Sequence, residues 1–277
     1  VWGASRVEGR RGLAWQFRAM LWLHVVRTGR YLYSLANWVL VEGLWVTIYV
    51  LGALTFASPS SYPRVAPMVF WAVLAWNLMS TPVWTIGNWA RFYVNMGVFE
   101  EHEIAGASHS LFLALRSLPA ILVSLGTAGV VGAFIAYVTG APVLEARDPL
   151  LLAASLAAIT LDAIFYSLVL AFLSLATRAP APLLDFMNFL LFIAGGIAAP
   201  VSRLPGPVRV FALLTPYSHP AELMRLAAVG EPTYLPPALE ALLTLAWLAV
   251  MALAWLASAH WALGLARREG VRGIGRM

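Results

Sequence analysis

Glu42 and Asp162 are the residues on which chemistry would depend most sharply. Each sits near the middle of a long apolar run, the first being LYSLANWVLVEGLWVTIYVLGALTF (32–56) and the second the stretch 150–176. A carboxyl group in hydrocarbon costs several kcal/mol unless it is protonated, paired or turned toward water, so by default it marks a path for a substrate or ion. Asn77 and Asn188 place amides in two further apolar runs, and with Glu42 and Asp162 they are the candidate lining of such a path. The same groups can also act as glue between helices, by bonding tyrosine hydroxyls, amides or freed carbonyls. The sequence leaves both roles open.

A second constellation is EEHEIAGASH (100–109). A zinc-protease helix carries HExxH, with both imidazoles on one face four residues apart. His102-Glu103 would need histidine at 106, and Gly106 stands there. His109 is roughly in line with His102, but a metal site needs a further spaced ligand, and the expectation is no metal. Two other readings remain for the run: a solvated acidic face, or a charged surface offered to a partner. The chain has no cysteine, and its 18 basic residues are all arginine. Disulfides, thiolate metal sites, a phosphate-loop lysine, a Schiff-base lysine and a Ser-Lys dyad are thereby excluded on this chain.

The elements that must hold these residues are helices in a membrane. The 277 residues are 61% hydrophobic and 11% charged, more apolar surface than a soluble domain can hide. No strand alternation interrupts the apolar runs. Six are long enough or nearly so: 32–56, 67–89, 118–139, 150–176, 183–199 and 238–264. The fifth is short and ends in Gly195, Gly196 and Pro200. Several of the 12 tryptophans fall near the ends of runs, which suits an interfacial belt. With both tails cytoplasmic and six crossings, 13 arginines lie inside and five outside, in keeping with the positive-inside rule. The net charge of +5 therefore reads as topology, with no nucleic-acid partner.

The expected organisation is a cytoplasmic interfacial helix within 1–31, a six-helix transmembrane domain over 32–266, and a cytoplasmic tail over 267–277. The arginine-rich start does not read as a removable leader. Eight of the 17 prolines lie between positions 200 and 238. There Pro207 can open a short helix through Leu214, and Ser218 can cap another, with Glu222 in its first turn and Gly230 past its end. Segment 200–237 is thus expected on the external side, either as two short helices dipping into the outer leaflet or as an ordinary loop.

The stretch IAGGIAAPVSRLPGPVRVFALLTPYSHPAELMRLAAVGE also resembles the fifth-helix end and re-entrant segment of ABC-2 type transporter permeases. The features that carry the resemblance are Gly195-Gly196, Pro200-Val201-Ser202, Leu204-Pro205-Gly206, Pro216-Tyr217 and Leu223-Met224-Arg225 through Gly230. A second, partial match lies in the loop 90–117. Phe99, Glu100, Glu101, His102, Glu103 and Gly106 fall where the family has its acidic coupling segment, and Ala107-Ser108-His109 depart from the usual Thr-Leu-Glu. The resemblance implies an all-α permease subunit in the plasma membrane, paired with a second permease copy as a homodimer or related heterodimer. It implies no catalytic residue and no cofactor on this chain, with ATP and Mg bound by a separate cytoplasmic ABC ATPase subunit. The cargo would be a lipophilic small molecule, lipid or glycan. Two rival classes remain: a proton-coupled secondary transporter using Glu42 and Asp162, and a membrane-embedded enzyme. Against them, no internal inverted repeat and no nucleophile-base pair is visible.

Overall fold

The computed structural model describes residues 12–177 and 181–269, of which 175–177, 181–185 and 269 are described by backbone alone. Tail arginines 6, 10, 11, 272 and 276, with Arg178 and the Asp185 side chain, lie outside the described residues.

Among the described residues all regular structure is helical. In chain order the helices are α1 (Leu13–Arg30), α2 (Leu32–Leu54), α3 (Tyr62–Asn95), α4 (Val98–Ala105), α5 (His109–Thr139), α6 (Pro149–Thr177), α7 (Ala181–Ala194), α8 (Gly206–Leu213), α9 (Ser218–Val229) and α10 (Pro237–Glu269). Prolines open several of them, as a residue that lacks an N–H and has a fixed φ should: Pro149 starts α6, Pro237 starts α10, and Pro207 follows the first residue of α8.

Among the described residues five helices are long and apolar enough to cross a membrane: α2, α3 with the turn before it, α5, α6 and α10. The architecture is thus that of an all-α multi-pass membrane protein. α7 has 14 residues, roughly 21 Å of helix, which is short of the hydrocarbon thickness.

Two boundaries differ from the sequence expectation. α3 begins at Tyr62 and runs on to Asn95, and α5 begins at His109 rather than 118. The stretch 90–117 is therefore mostly helical: the end of α3, all of α4, and the first turns of α5. Pro67, Pro82 and Pro119 lie inside helices and are buried. A proline deletes one helical hydrogen bond, and packing on neighbouring helices offsets that loss. At the far end, Arg267 and Arg268 continue α10, which runs to Glu269.

α3 is the central helix. It packs against α2, α5, α6 and α9, and Phe70, Leu78, Met79 and Ile86 on it are almost fully buried. Ile135 of α5, Ile159, Leu168 and Phe172 of α6, and Met224 of α9 complete the same core. The bundle has two distinct ends, roughly 50 Å apart along the 34 residues of α3. At one end Gln16 of α1 bonds the backbone at Gly106 and Ser108, and Arg267 of α10 bonds Glu103 of α4. At the other, Arg64 beside the start of α3 pairs with Glu231 after α9, and the Asp148 N–H donates to Ala227 of α9.

α1 is pinned to α5 by a buried histidine. The His24 ring packs on Phe112 at 4.9 Å, and its Nε2–H donates to the Phe112 carbonyl at 3.1 Å. Burial, then the charge of Arg116, pushes the imidazole down from 6.5 to about 4. The unfolded or undocked ring takes up a proton first as pH falls, so docking weakens below 6.5 and the loss is complete near 4. Going from about pH 7 to about pH 5 should cost the docking of α1 of order 2 kcal/mol. Hydrogen exchange of α1 amides, corrected for intrinsic rates, checks this. His24→Gln, which keeps a donor and has no titration, should flatten the pH response; an unchanged response rejects the assignment.

Candidate functional site

A cleft of 610 Å³ lies between α2 and α3, with Phe189 of α7 at its side. α2 presents Trp38, Val41, Glu42, Trp45 and Tyr49, which are spaced along one helical face. α3 presents Trp76, Asn77, Ser80, Thr81, Trp84 and Thr85, followed one turn later by Asn88 and Trp89. Trp45 stacks on Tyr49 at 5.7 Å, and Tyr49 meets the edge of Trp76 at 5.5 Å.

Glu42 is 9% exposed, and both carboxyl oxygens are buried without a hydrogen bond. Ser124 of α5 is close enough to act on the carboxyl, although the contact lacks hydrogen-bond geometry. Asn77 Nδ2 and Trp76 Nε1 are likewise buried and unpaired. Four buried polar atoms without partners thus belong to residues that line one cleft, an arrangement that costs free energy.

Asp162 and Asn188 are placed elsewhere. Asp162 is fully buried in α6, with neither oxygen hydrogen-bonded. It lies near Tyr166 and near Tyr217, which precedes α9; those two rings sit edge to face at 6.2 Å. Asn188 is buried on α7 one residue before Phe189, with Oδ1 unpaired. Of the four residues proposed for a path, Glu42 and Asn77 line the cleft and Asp162 and Asn188 do not.

The acidic run forms α4, ended by Gly106 with φ 65, a backbone conformation that a side chain disfavours. Phe99 is buried and stacks on His109 at 3.9 Å. The His102 ring packs on Phe112, and burial lowers its pKa. Glu103 is half-buried and paired on both sides: one oxygen meets His109 Nε2 at 3.1 Å and the other accepts from the exposed Arg267 at 3.2 Å. Ser108, one of the residues departing from the family pattern, caps α5 by accepting from the Leu111 N–H. On α4 Glu101, Ile104 and Ala105 are exposed, Ile104 to 87%.

Segment 200–237 contains the two expected short helices, α8 and α9. Pro200 precedes a 3-10 turn, Pro205 precedes α8, Gly206 is its first residue, and Pro216-Tyr217 form the buried turn into α9. Two expectations are corrected. Ser218 is the first residue of α9 and does not cap it, and its hydroxyl is buried and unpaired. Glu222 lies beyond the first turn, and its carboxylate is the hub of a buried network. It accepts from Arg225 at 2.6 Å, from the Val201 N–H at 3.0 Å and from the Tyr234 N–H at 2.9 Å. Arg225 also donates to the carbonyls of Gly196 at 2.8 Å and Ile197 at 3.1 Å. His219 adds a second buried pair with Glu240 of α10 at 2.6 Å, while its Nε2 donates to Leu213. Together these bonds tie α7, α8, α9 and α10 into one cap.

No protein-family model matches the chain, and no curated protein matches it significantly.

Sequence reasoning missed the cleft's composition. Its tryptophans read as interfacial anchors, yet Trp45, Trp76 and Trp84 line the cleft well inside their helices. One signal was present in the sequence: Asn77, Ser80, Thr81, Trp84, Thr85 and Asn88 recur at helical spacing within an apolar run. A polar stripe in a membrane helix points at protein or a cavity rather than lipid. The pairings of Glu103 with Arg267 and of His219 with Glu240 carry no sequence signal, because 164 and 21 residues separate the partners.

Proposed function

We propose that this chain is the membrane-spanning permease subunit of an ATP-binding cassette exporter of the ABC-2 type. Two copies would enclose a path for a lipophilic substrate, and ATP with Mg would be hydrolysed on a separate cytoplasmic ATPase. The observation that carries the reading is α4. It is a short helix hung between the two long helices α3 and α5, braced from within by Phe99, Glu103, His109 and Arg267, with Glu101 and Ile104 facing outward. A helix packed on α3 and tied to the start of α5 by the Phe99–His109 stack would pass on a push from below as a motion of the bundle.

In this reading α7 and the non-helical stretch to Pro200 make the sixth crossing. α8 and α9 form the external re-entrant segment. α1, with exposed Trp15 and Trp22, lies in the cytoplasmic interface. Both termini are cytoplasmic in the plasma membrane. A proton-coupled mechanism through Glu42 and Asp162 would want the two carboxyls on one path, and Asp162 is absent from the cleft that holds Glu42.

The test is purification of the full chain from its native membrane in mild detergent. An ATP-binding cassette ATPase should copurify, and hydrolysis should depend on the complex. Glu101→Arg combined with Ile104→Asp alters exposed side chains only, so helical content and melting should match the parent while ATPase association falls about tenfold or more. An unaltered complex with normal hydrolysis rejects α4 as the coupling surface. Failure of any ATPase to copurify with the parent rejects the reading itself.

A further inference from the structure

We propose that the cleft between α2 and α3 binds lipophilic organic cations, with Glu42 as the counter-ion and the surrounding aromatic rings as the cage. As a substrate class this rests on the permease reading; as a binding site it does not.

The first argument is charge. Among the described residues Glu42 is the one carboxyl lining the cleft, its oxygens have no hydrogen-bond partner, and no arginine or histidine shares the walls. A buried carboxyl with no internal cation draws either a proton or an external cation. The second argument is the wall. Tryptophan and tyrosine faces attract cations, quaternary ammonium groups among them, and Trp45, Tyr49, Trp76 and Trp84 line the same cleft as Glu42. The molecule itself uses a ring of this wall in that way. Arg27 and Arg116 both rest over Trp89 at the α1 end of the cleft, at 4.5 and 4.2 Å from the ring centre.

Those two guanidiniums also set where the cation would sit. Arg27 and Arg116 line a smaller cleft of 260 Å³ that shares Trp38 and Trp89 with the first. They repel a cation from that end and leave Glu42 as the favourable position. Entry is sideways: Trp45, Trp84 and Phe189 are each about half exposed on the face that would meet lipid.

The probe is tetraphenylphosphonium, a permanent lipophilic cation, titrated onto the full chain in lipid nanodiscs with empty nanodiscs as the blank. Saturable binding above the blank is expected. Glu42→Gln should weaken it about tenfold, and Trp84→Leu by a severalfold factor, in line with a cation–π contact in a desolvated site. Tetraphenylborate, of the same shape and opposite charge, should not displace the probe. The proposal is overturned by the absence of saturable binding, by displacement with tetraphenylborate, or by parental affinity in a Glu42→Gln protein that melts like the parent. If Glu42→Gln does not fold, the half-exposed Trp84→Leu decides, and parental affinity there overturns the proposal. Cation binding without a copurifying ATPase would leave the site standing and remove the permease reading; an ATPase complex indifferent to the cation would do the reverse.

Discussion

Arg225→Met should destabilise the protein by about 3–5 kcal/mol, the cost of breaking a buried ion pair by removing one partner. The aliphatic stem is kept, so the loss falls on the polar contacts. Glu222 would retain its two backbone donors, Val201 and Tyr234, but lose its counter-ion. The Gly196 and Ile197 carbonyls, both buried, would lose their donors. Arg225→Lys should not restore the parent, because an ammonium cannot reach two carbonyls and a carboxylate in the planar fork that guanidinium offers. Adding Glu222→Gln to Arg225→Met should recover part of the loss, since the orphaned charge is then gone. Unfolding in detergent, followed by helical signal, measures all three; an Arg225→Met protein within about 1 kcal/mol of the parent would show that the network contributes little.

The second large effect is expected at Gly195→Ala, which should cost about 2–3 kcal/mol. A Cβ built on Gly195 would overlap the Leu191 carbonyl, the acceptor of the Gly195 N–H bond that ends α7. The chain could relieve the overlap only by opening that bond and moving the next residue. The next residue is Gly196, held at φ 80 with Ser218 and Val201 side chains at 3.0 and 3.1 Å from where its own Cβ would stand. Moving it displaces the carbonyl that Arg225 grips. Gly195→Ala and Arg225→Met therefore act on one lock, and the double variant should be less destabilised than the two single changes added together. Strict additivity in the same unfolding assay would separate the glycine turn from the arginine network.

Both effects concern the end of the molecule opposite α4. In the permease reading that suits a division of labour. The cap closes the external end with a rigid, water-excluding set of charge pairs, α4 receives motion at the other end, and the α2–α3 cleft lies between them. The cation site would then be reached from the bilayer and emptied by movement of α2 against α3.

The sequence by itself determined the class and much of the linear order. Apolar length, the prolines at 149, 207 and 237, and the glycine that follows Val229 placed the starts and stops of α6, α8, α9 and α10 within a few residues. Those signals are local, set by φ restriction and missing N–H groups, so they survive without knowledge of the fold. Both ends of α3 and the start of α5 lie beyond the expected spans 67–89 and 118–139, because helix continues past the apolar run wherever neighbouring helices pack beside it.

Only the tertiary structure decided which way each helix is turned about its axis. In a soluble protein the polar face would reveal that rotation. Here lipid and core are both apolar, and α2, α5 and α6 are apolar almost all the way round, so the pattern cannot separate the face meeting protein from the face meeting lipid. For that reason two carboxyls of equal standing in the sequence part company in space. Glu42 turns into an aromatic cleft beside Asn77, while Asp162 turns toward Tyr166 and Tyr217 in the packed core.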